Sequence, residues 1–524
     1  MHVFKRESNL LNIEDNAKTW DLIIIGGGAT GLGASVDAAS RGYATLLLEQ
    51  SDFAKGTSSR ATKLAHGGVR YLAQGNIGLV REALRERGLL LKNAPHLVKN
   101  ESFIIPNYNW WGGLFYFIGL TIYDILAGKL SFGRAKKLSK EETLRRLPGL
   151  NEKGLRGGVL YHDGQFDDSR LAINLAQTAM QQGATLLNYF KVTGLLKNGN
   201  NKLSGVTAIE NETGKSYQIT AKVIINATGV FVDEILKMDS PEKKPMVRPS
   251  QGIHLVLDRS FLPAEDALMI PKTQDGRVLF AVPWHAKLLI GTTDTPVDTC
   301  SLEPVALDSE VAFILNTAGK YLNKIPTRRD VLSVFAGLRP LAAPQNGSEK
   351  TKEISRSHKL IVSESGLITI TGGKWTTYRK MGEDTIDKAI VTSGLKNMPC
   401  KTASLPIYGA RPNPDRSNHL FVYGAEMEKV LALYDENPDW KNPVCSKDTY
   451  TKGEVIWSVR NEMARTVEDI LARRTAMLFL DARLAIEMAP EVARLMASEL
   501  KKDFVWEAGQ VEKFRQIAQN YVLT

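Results

Sequence analysis

Cysteine is scarce in this chain. Cys300, Cys400 and Cys445 are the only three in 524 residues, far apart and odd in number. That excludes a disulfide-stapled framework. With no CxxC pair it also excludes a thiolate zinc site, so no metal is expected and a reducing compartment fits. Charge of one sign is not dominant either: 67 Lys+Arg against 57 Asp+Glu leave +10. The basic residues are scattered and accompany no nucleic-acid-reading motif. Nucleic acid is therefore not an expected partner, whereas an anionic substrate or an anionic membrane surface is. Long apolar runs are missing too. The uncharged stretch 102–123 is interrupted by Pro106, Asn107, Asn109, Gly112 and Gly113 and closed by Asp124. Its unbroken part falls short of the roughly 20 residues a membrane span needs. The first twenty residues lack the apolar core of a signal peptide. Neither a spanning helix nor an internal repeat is expected.

What remains is ordinary globular material, 43% hydrophobic and 24% charged, with chain enough for two or three domains. The clearest signal comes early. Residues 21–25 (DLIII) form a nearly continuous β-branched run, the signature of a strand buried on both faces. Gly26, Gly28 and Gly31 follow in GxGxxG spacing, then a small-residue helix to about Ser40, then a second apolar strand, 44–48, ending at Glu49. Glycines in that order permit a tight turn, close approach of backbone to a pyrophosphate, and close packing of helix on strand. The helix N-terminus favours the phosphates, and Glu49 can accept hydrogen bonds from a ribose hydroxyl. Two further small-residue turns, Asn226-Ala-Thr-Gly229 and Gly372-Gly-Lys-Trp-Thr-Thr-Tyr-Arg379, each follow an apolar strand. A nicotinamide enzyme needs only the first turn. Three of them imply one discontinuous domain around FAD.

These segments, with Lys63-Leu-Ala-His-Gly-Gly-Val-Arg-Tyr-Leu72, Asp167-Asp-Ser-Arg-Leu171, Val282-Pro-Trp284, Gly291-Thr-Thr-Asp294 and Gly337-Leu-Arg-Pro-Leu341, resemble the FAD-dependent, aerobic glycerol-3-phosphate dehydrogenases. The resemblance covers residues 21–383, with a weaker point of contact at Arg473-Arg-Thr475. It implies oxidation of sn-glycerol 3-phosphate to dihydroxyacetone phosphate, with hydride taken by FAD and electrons passed to a membrane quinone. Glycerol-3-phosphate oxidases, which release hydrogen peroxide, share nearly all these motifs and stay open as an alternative. A tRNA-modifying or structural flavoprotein, or an amine oxidase on the same fold, is the alternative of another class. Cofactor contacts fall, on this resemblance, to Gly26, Gly28, Gly31, Glu49, Thr57, Ser58, Lys63, Gly67, Gly68, Gly229, Gly373 and Thr376.

A phosphorylated secondary alcohol needs cations for its phosphate and a base for its hydroxyl proton. Planar guanidinium suits phosphate; Arg70, Arg339 and Lys374 stand beside glycine-rich backbone, and Arg356, in the less distinctive Ile354-Ser-Arg-Ser-His358, is a further candidate. The resemblance also implies that Arg339 and Lys374 lie near the flavin. His66, before Gly67 and Gly68, is the candidate base, with a competing role in holding that loop. His254 is a second candidate on a strand, and Tyr71 either orients substrate or packs.

The expected architecture is α/β: a discontinuous Rossmann-like FAD-binding region over 1–395, with an antiparallel substrate-side sheet inserted at roughly 240–330. Residues 396–524 read as a mainly helical domain, a packing or oligomerisation cap, with helical periodicity over 454–479 and 489–504. A homodimer is a candidate assembly. Aromatics crowd 108–126 (Trp110, Trp111, Phe115, Tyr116, Phe117, Tyr123) ahead of Lys129, Arg134, Lys136 and Lys137. That mixture suits a segment lying at a membrane interface. It also suits a core helix covering the sheet. The first reading makes the protein cytoplasmic and peripherally attached to the cytoplasmic membrane.

Overall fold

The computed structural model describes residues 4–15, 18–69, 72, 75–109, 112–273, 276–342 and 358–523. Two sheets carry the architecture. The first has eight strands, and its main path runs Lys359–Val362, Ile368–Thr371, Ser216–Asn226, Thr19–Ile25, Thr45–Leu48, Thr185–Leu187. Every neighbour pair on that path is parallel except the first. Leu22, Ile23, Ile24 and Ile25 are all buried, as a strand covered on both faces requires. Three of the parallel strands end on one edge, where Gly26, Ala227 and Gly372 leave the sheet and Glu49 closes a fourth. Ligands of open α/β sheets bind at that edge.

Helices Ala29–Ser40, Asp168–Gln181 and Tyr378–Ser393 pack together beside this sheet. The crossing of the first and last is close because both are glycine there. A Cβ on Gly33 would stand 2.8 Å from the Tyr378 carbonyl oxygen, and one on Gly382 would stand 2.6 Å from the Gly33 carbonyl carbon.

The second sheet has ten strands and is mixed, with Ala267–Ile270 parallel to Val98–Asn107. It reaches well outside 240–330, taking Leu64–Ala65, Val98–Asn107, Lys136–Leu138 and Gly157–Phe166 from earlier in the chain. Its longest ladder joins Val247–Asp258 to Val331–Ala342, with Gly252 opposite Gly337 and Ser250 opposite Arg339. Alternation along these strands decides the site. Ile253, Leu255, Leu257, Val334 and Ala336 enter a core shared with helix Asp308–Tyr321. Gly252, His254, Gly337 and Arg339 lie on the other face and line the cleft between the sheets.

The C-terminal part is helical but not as its periodicity suggests. The run 454–479 is broken into Lys452–Asn461, a π-helical turn Asp469–Arg474 and Met477–Leu480, with Met463 and Ala476 at positive φ. The break is made by buried charge. Arg473 and Arg474 both donate to Asp52, Arg473 Nε at 2.5 Å, and Arg473 also bonds Glu468 and Asp469 at 2.7 Å each. Burial would raise the Asp52 carboxyl, yet Arg474 and Arg473 bring it below its ordinary value. This part is therefore fused to the loop that follows Glu49 and is no detachable cap. The run 489–504 likewise resolves into Ala482–Leu500, which holds Pro490, and the start of Phe504–Gln519.

The aromatic segment forms helix Gly112–Ala127, docked through Leu120 and Tyr123. Leu114, Phe115, Ile118, Ile122 and Ile125 project from it exposed. The sequence reading closed this run at Asp124. The helix runs on to Ala127, and the Asp124 carboxylate accepts the Ala135 amide at 2.6 Å. Residues 112–130 are thus long and apolar enough to cross a membrane by length and composition, with 11% of the stretch buried. Trp110 and Trp111 lie outside the described residues.

Candidate active site

Three connected cavities make one cleft. The outermost is lined by Gly26, Gly28, Thr30, Glu49, Thr57, Ser58, Gly229, Gly373 and Lys374. Gly26 holds φ +106°, and a Cβ on Gly31 would collide with the Gly26 carbonyl oxygen, so the turn admits nothing larger. Gly27 and Ser51 donate their amides to Glu49 at 2.6 and 2.8 Å, which fixes the carboxylate at the strand end. Burial pushes Glu49 above its ordinary range, and those two amides pull against it. Ala29 donates its amide to the Ser58 hydroxyl at 2.9 Å, tying the helix start to the 57–59 turn. The Trp375 indole donates to the Ser58 carbonyl at 2.8 Å and Thr57 to the Leu338 carbonyl at 2.6 Å, and with Gly229 in the same lining all three turns border one space. Gly229, Gly372 and Gly373 sit at positive φ, and a Cβ on Gly28 would press to 3.1 Å on the Ser58 hydroxyl. Backbone bared in this way along a cleft that ends in a half-buried acid fits the phosphates and ribose of FAD.

Two inner cavities continue the cleft and share Thr62, Leu64, His66, Phe280 and Arg339. Arg339 is held by the Gln251 carbonyl at 3.4 Å and Asp294 at 3.3 Å through one nitrogen, and by Thr292 Oγ1 at 3.1 Å and the Thr293 carbonyl at 2.9 Å through the other. Ser250 also donates to Asp294. Lys374 lines the outer cavity and one inner cavity, where the cofactor space meets the reacting end. His66 lines both inner cavities. Its amide donates to the Thr376 hydroxyl at 3.2 Å. His254 is buried on the floor with Nε2 2.9 Å from Thr62 Oγ1 and its ring stacked 5.0 Å from Phe335. Burial, with Arg339 and Lys63 nearby, holds its imidazole well below the ordinary range. It is a neutral floor residue.

Lys63 is placed differently from the sequence expectation. Its ammonium is fully buried, bonded to Asp168 at 2.6 Å and the Ser59 carbonyl at 2.7 Å, with Trp284, Phe335 and Phe479 ring centres 4.9 to 5.6 Å away. It lies outside the cleft lining and supports the 57–59 turn from beneath. Burial raises Asp168 to about 6 against the pull of Lys63. Gly67 turns its amide to the Tyr123 hydroxyl at 2.7 Å, and Gly68 lines an inner cavity instead of the cofactor space. Arg70, Tyr71 and Arg356 lie outside the described residues. One cation was missed by the sequence reading: Arg277, just after Gly276 at φ +77°, lines the inner cavity with Arg339 and Asp163. A glycine-arginine pair inside the sheet expected over roughly 240–330 is its only signal in the sequence.

Residues 21–379 match the family described as FAD dependent oxidoreductase, and residues 371–504 match the C-terminal domain of alpha-glycerophosphate oxidase. The chain is similar to the mitochondrial glycerol-3-phosphate dehydrogenase of Schizosaccharomyces pombe, 39% identical over 99% of this chain and 89% of that protein. To the human mitochondrial enzyme it is 38% identical over 98% of this chain and 74% of that one. Among solved structures it superposes on glycerol-3-phosphate dehydrogenase from Bacillus halodurans, complexed with FAD, with a TM-score of 0.80, 30% identity and coverage of 100% and 99%.

Proposed function

The chain belongs to the family of FAD-dependent glycerol-3-phosphate dehydrogenases, and from that premise we propose how its residues divide the reaction and where the electrons go. It oxidises sn-glycerol 3-phosphate to dihydroxyacetone phosphate, and bound FAD supplies the two-electron acceptor. Glu49, Gly26, Gly28, Ser58 and Gly373 hold the cofactor along the outer cleft. Arg339, Lys374 and Arg277 take the phosphate, because they are cations converging on the inner cavities. His66 receives the hydroxyl proton released as the alcohol becomes a ketone. His254, kept neutral on the floor, orients Thr62 and is not the base. Leu64, Phe103, Met269 and Phe280 make one wall of an inner cavity apolar.

The observation that carries this reading is the continuity of the cleft from Glu49 to Arg339, backbone-lined at one end and cationic at the other. The test is to purify the yellow protein and add glycerol 3-phosphate without oxygen. The flavin absorbance should bleach. Bleaching by dithionite but not by this substrate would overturn the assignment.

A membrane quinone is the proposed electron acceptor, with peripheral attachment to the cytoplasmic face of the membrane. The support is the exposed apolar stripe Leu114–Phe115–Ile118–Ile122–Ile125, beside the exposed cations Lys129, Lys136 and Lys137. The docked face, anchored by Tyr123, favours a helix that lies along the surface over one that crosses it. The oxidase alternative predicts stoichiometric hydrogen peroxide during aerobic turnover without quinone.

A further inference from the structure

The geometry points to Tyr123 as a positioning residue: from the docked face of helix Gly112–Ala127 its hydroxyl holds the His66–Gly68 loop at the reacting end. This rests on the placement of His66 in the reaction given above. The phenol is fully buried, 2.7 Å from the Gly67 amide and 2.8 Å from Asp163 Oδ2. Arg87 occupies the other Asp163 oxygen at 2.8 Å. Its guanidinium lies 4.1 Å from the Phe132 ring centre and donates to the Leu130 carbonyl at 3.5 Å. The direction of the chain follows from donor arithmetic. An ionised carboxylate only accepts, so the phenol donates to Asp163 and must accept the Gly67 amide. Burial, together with Asp163, keeps the phenol protonated far above its ordinary range.

The loop is made for this contact. A Cβ on Gly67 would stand 2.5 Å from the Tyr123 oxygen and 2.6 Å from a Leu84 methyl, so only glycine lets the phenol reach the backbone. On the other side, Thr376 accepts the His66 amide and donates to the His66 carbonyl. The 66–67 peptide is therefore gripped at its carbonyl from the cofactor-side turn and at its amide from the surface helix. Ile122 and Ile125, on the same helical turn as Tyr123, face outward. The loop carrying the proton acceptor is thus braced directly by the element proposed to meet lipid.

The test is Tyr123→Phe, which keeps the ring and deletes the hydroxyl. Three quantities are read on the holoenzyme: flavin per chain, melting temperature, and the rate of anaerobic flavin reduction at saturating glycerol 3-phosphate. The expected result is a reduction rate lowered about 10- to 100-fold per bound flavin, with KM within about threefold of wild type and flavin content retained. A displaced base also alters the pH profile of that rate. Wild-type reduction by the flavin that Y123F retains would overturn the assignment, whether flavin content is full or diminished. Should Y123F fail to accumulate as flavoprotein, Gly67→Ala displaces the same contact from the loop side and is read identically. Absence of bleaching in the wild type would instead count against the substrate assignment.

Discussion

Replacing Arg339 with alanine removes a guanidinium that four protein groups hold in one plane: the Gln251 and Thr293 carbonyls, Thr292 Oγ1 and Asp294. The side chain retains 21% exposure into the cavities it lines. Loss of a charge-assisted contact costs about 2–5 kcal/mol when fully desolvated, and partial exposure places this one near the lower end. About 2–3 kcal/mol corresponds to a roughly 30- to 150-fold fall in kcat/KM for glycerol 3-phosphate. Arg339→Lys keeps the charge but cannot span the four partners, so its loss should be intermediate, near tenfold. Anaerobic stopped-flow reduction across substrate concentration separates the two parts. A pure phosphate contact raises KM alone, whereas a contact that strengthens as the ketone forms also lowers the limiting rate. Flavin content should be unchanged, since the backbone of the same strand, at Leu338, is what holds Thr57. Kinetics within threefold of wild type in R339A would refute the placement of the phosphate.

Glu49→Gln should weaken FAD retention about 30-fold, measured by flavin fluorescence released on dilution, because an amide cannot accept from both Gly27 and Ser51; unchanged retention would count against the ribose assignment. His96 is buried against Asn174, and burial lowers its pKa from 6.5 to about 4. The unfolded chain therefore binds the extra proton first, so this stability is full above about pH 6.5 and lost as pH falls toward 4, at a cost of about 2 kcal/mol by pH 5. Melting curves at pH 7 and 5 should show that decline, and it should flatten in His96→Gln; an identical slope in both proteins would refute it. Phe115 and Ile125 are 65% and 71% exposed, and Phe115→Ser/Ile125→Ser should reduce co-sedimentation with anionic vesicles at least 30-fold. Equal partition of the two proteins would remove the helix from the membrane proposal.

The nucleotide-binding end was legible because its physics is local. A strand buried on both faces, a turn that only glycine can make and an acid at the next strand end all fall within residues 19–49. The inner end was legible mainly through motifs, since Arg339 and His254 reach the cleft by strand alternation within a sheet assembled from residues 64 to 342. No local pattern announces that Leu64–Ala65 will pair with Gly157–Phe166. Lys63 looked like a cofactor contact because it opens a distinctive motif, but its partner Asp168 lies 105 residues away. The helical break at 461–477 hid for the same reason: Asp52, the carboxylate that arginines 473 and 474 share, belongs to another part of the chain.

The Asp52 cluster has a consequence for biosynthesis. Its counter-ions arrive 421 and 422 residues later, when about nine-tenths of the polypeptide has left the ribosome. Until then a nascent chain carries an uncompensated carboxylate just past Glu49. A product truncated before Arg473 should therefore emerge colourless even though it includes every glycine turn.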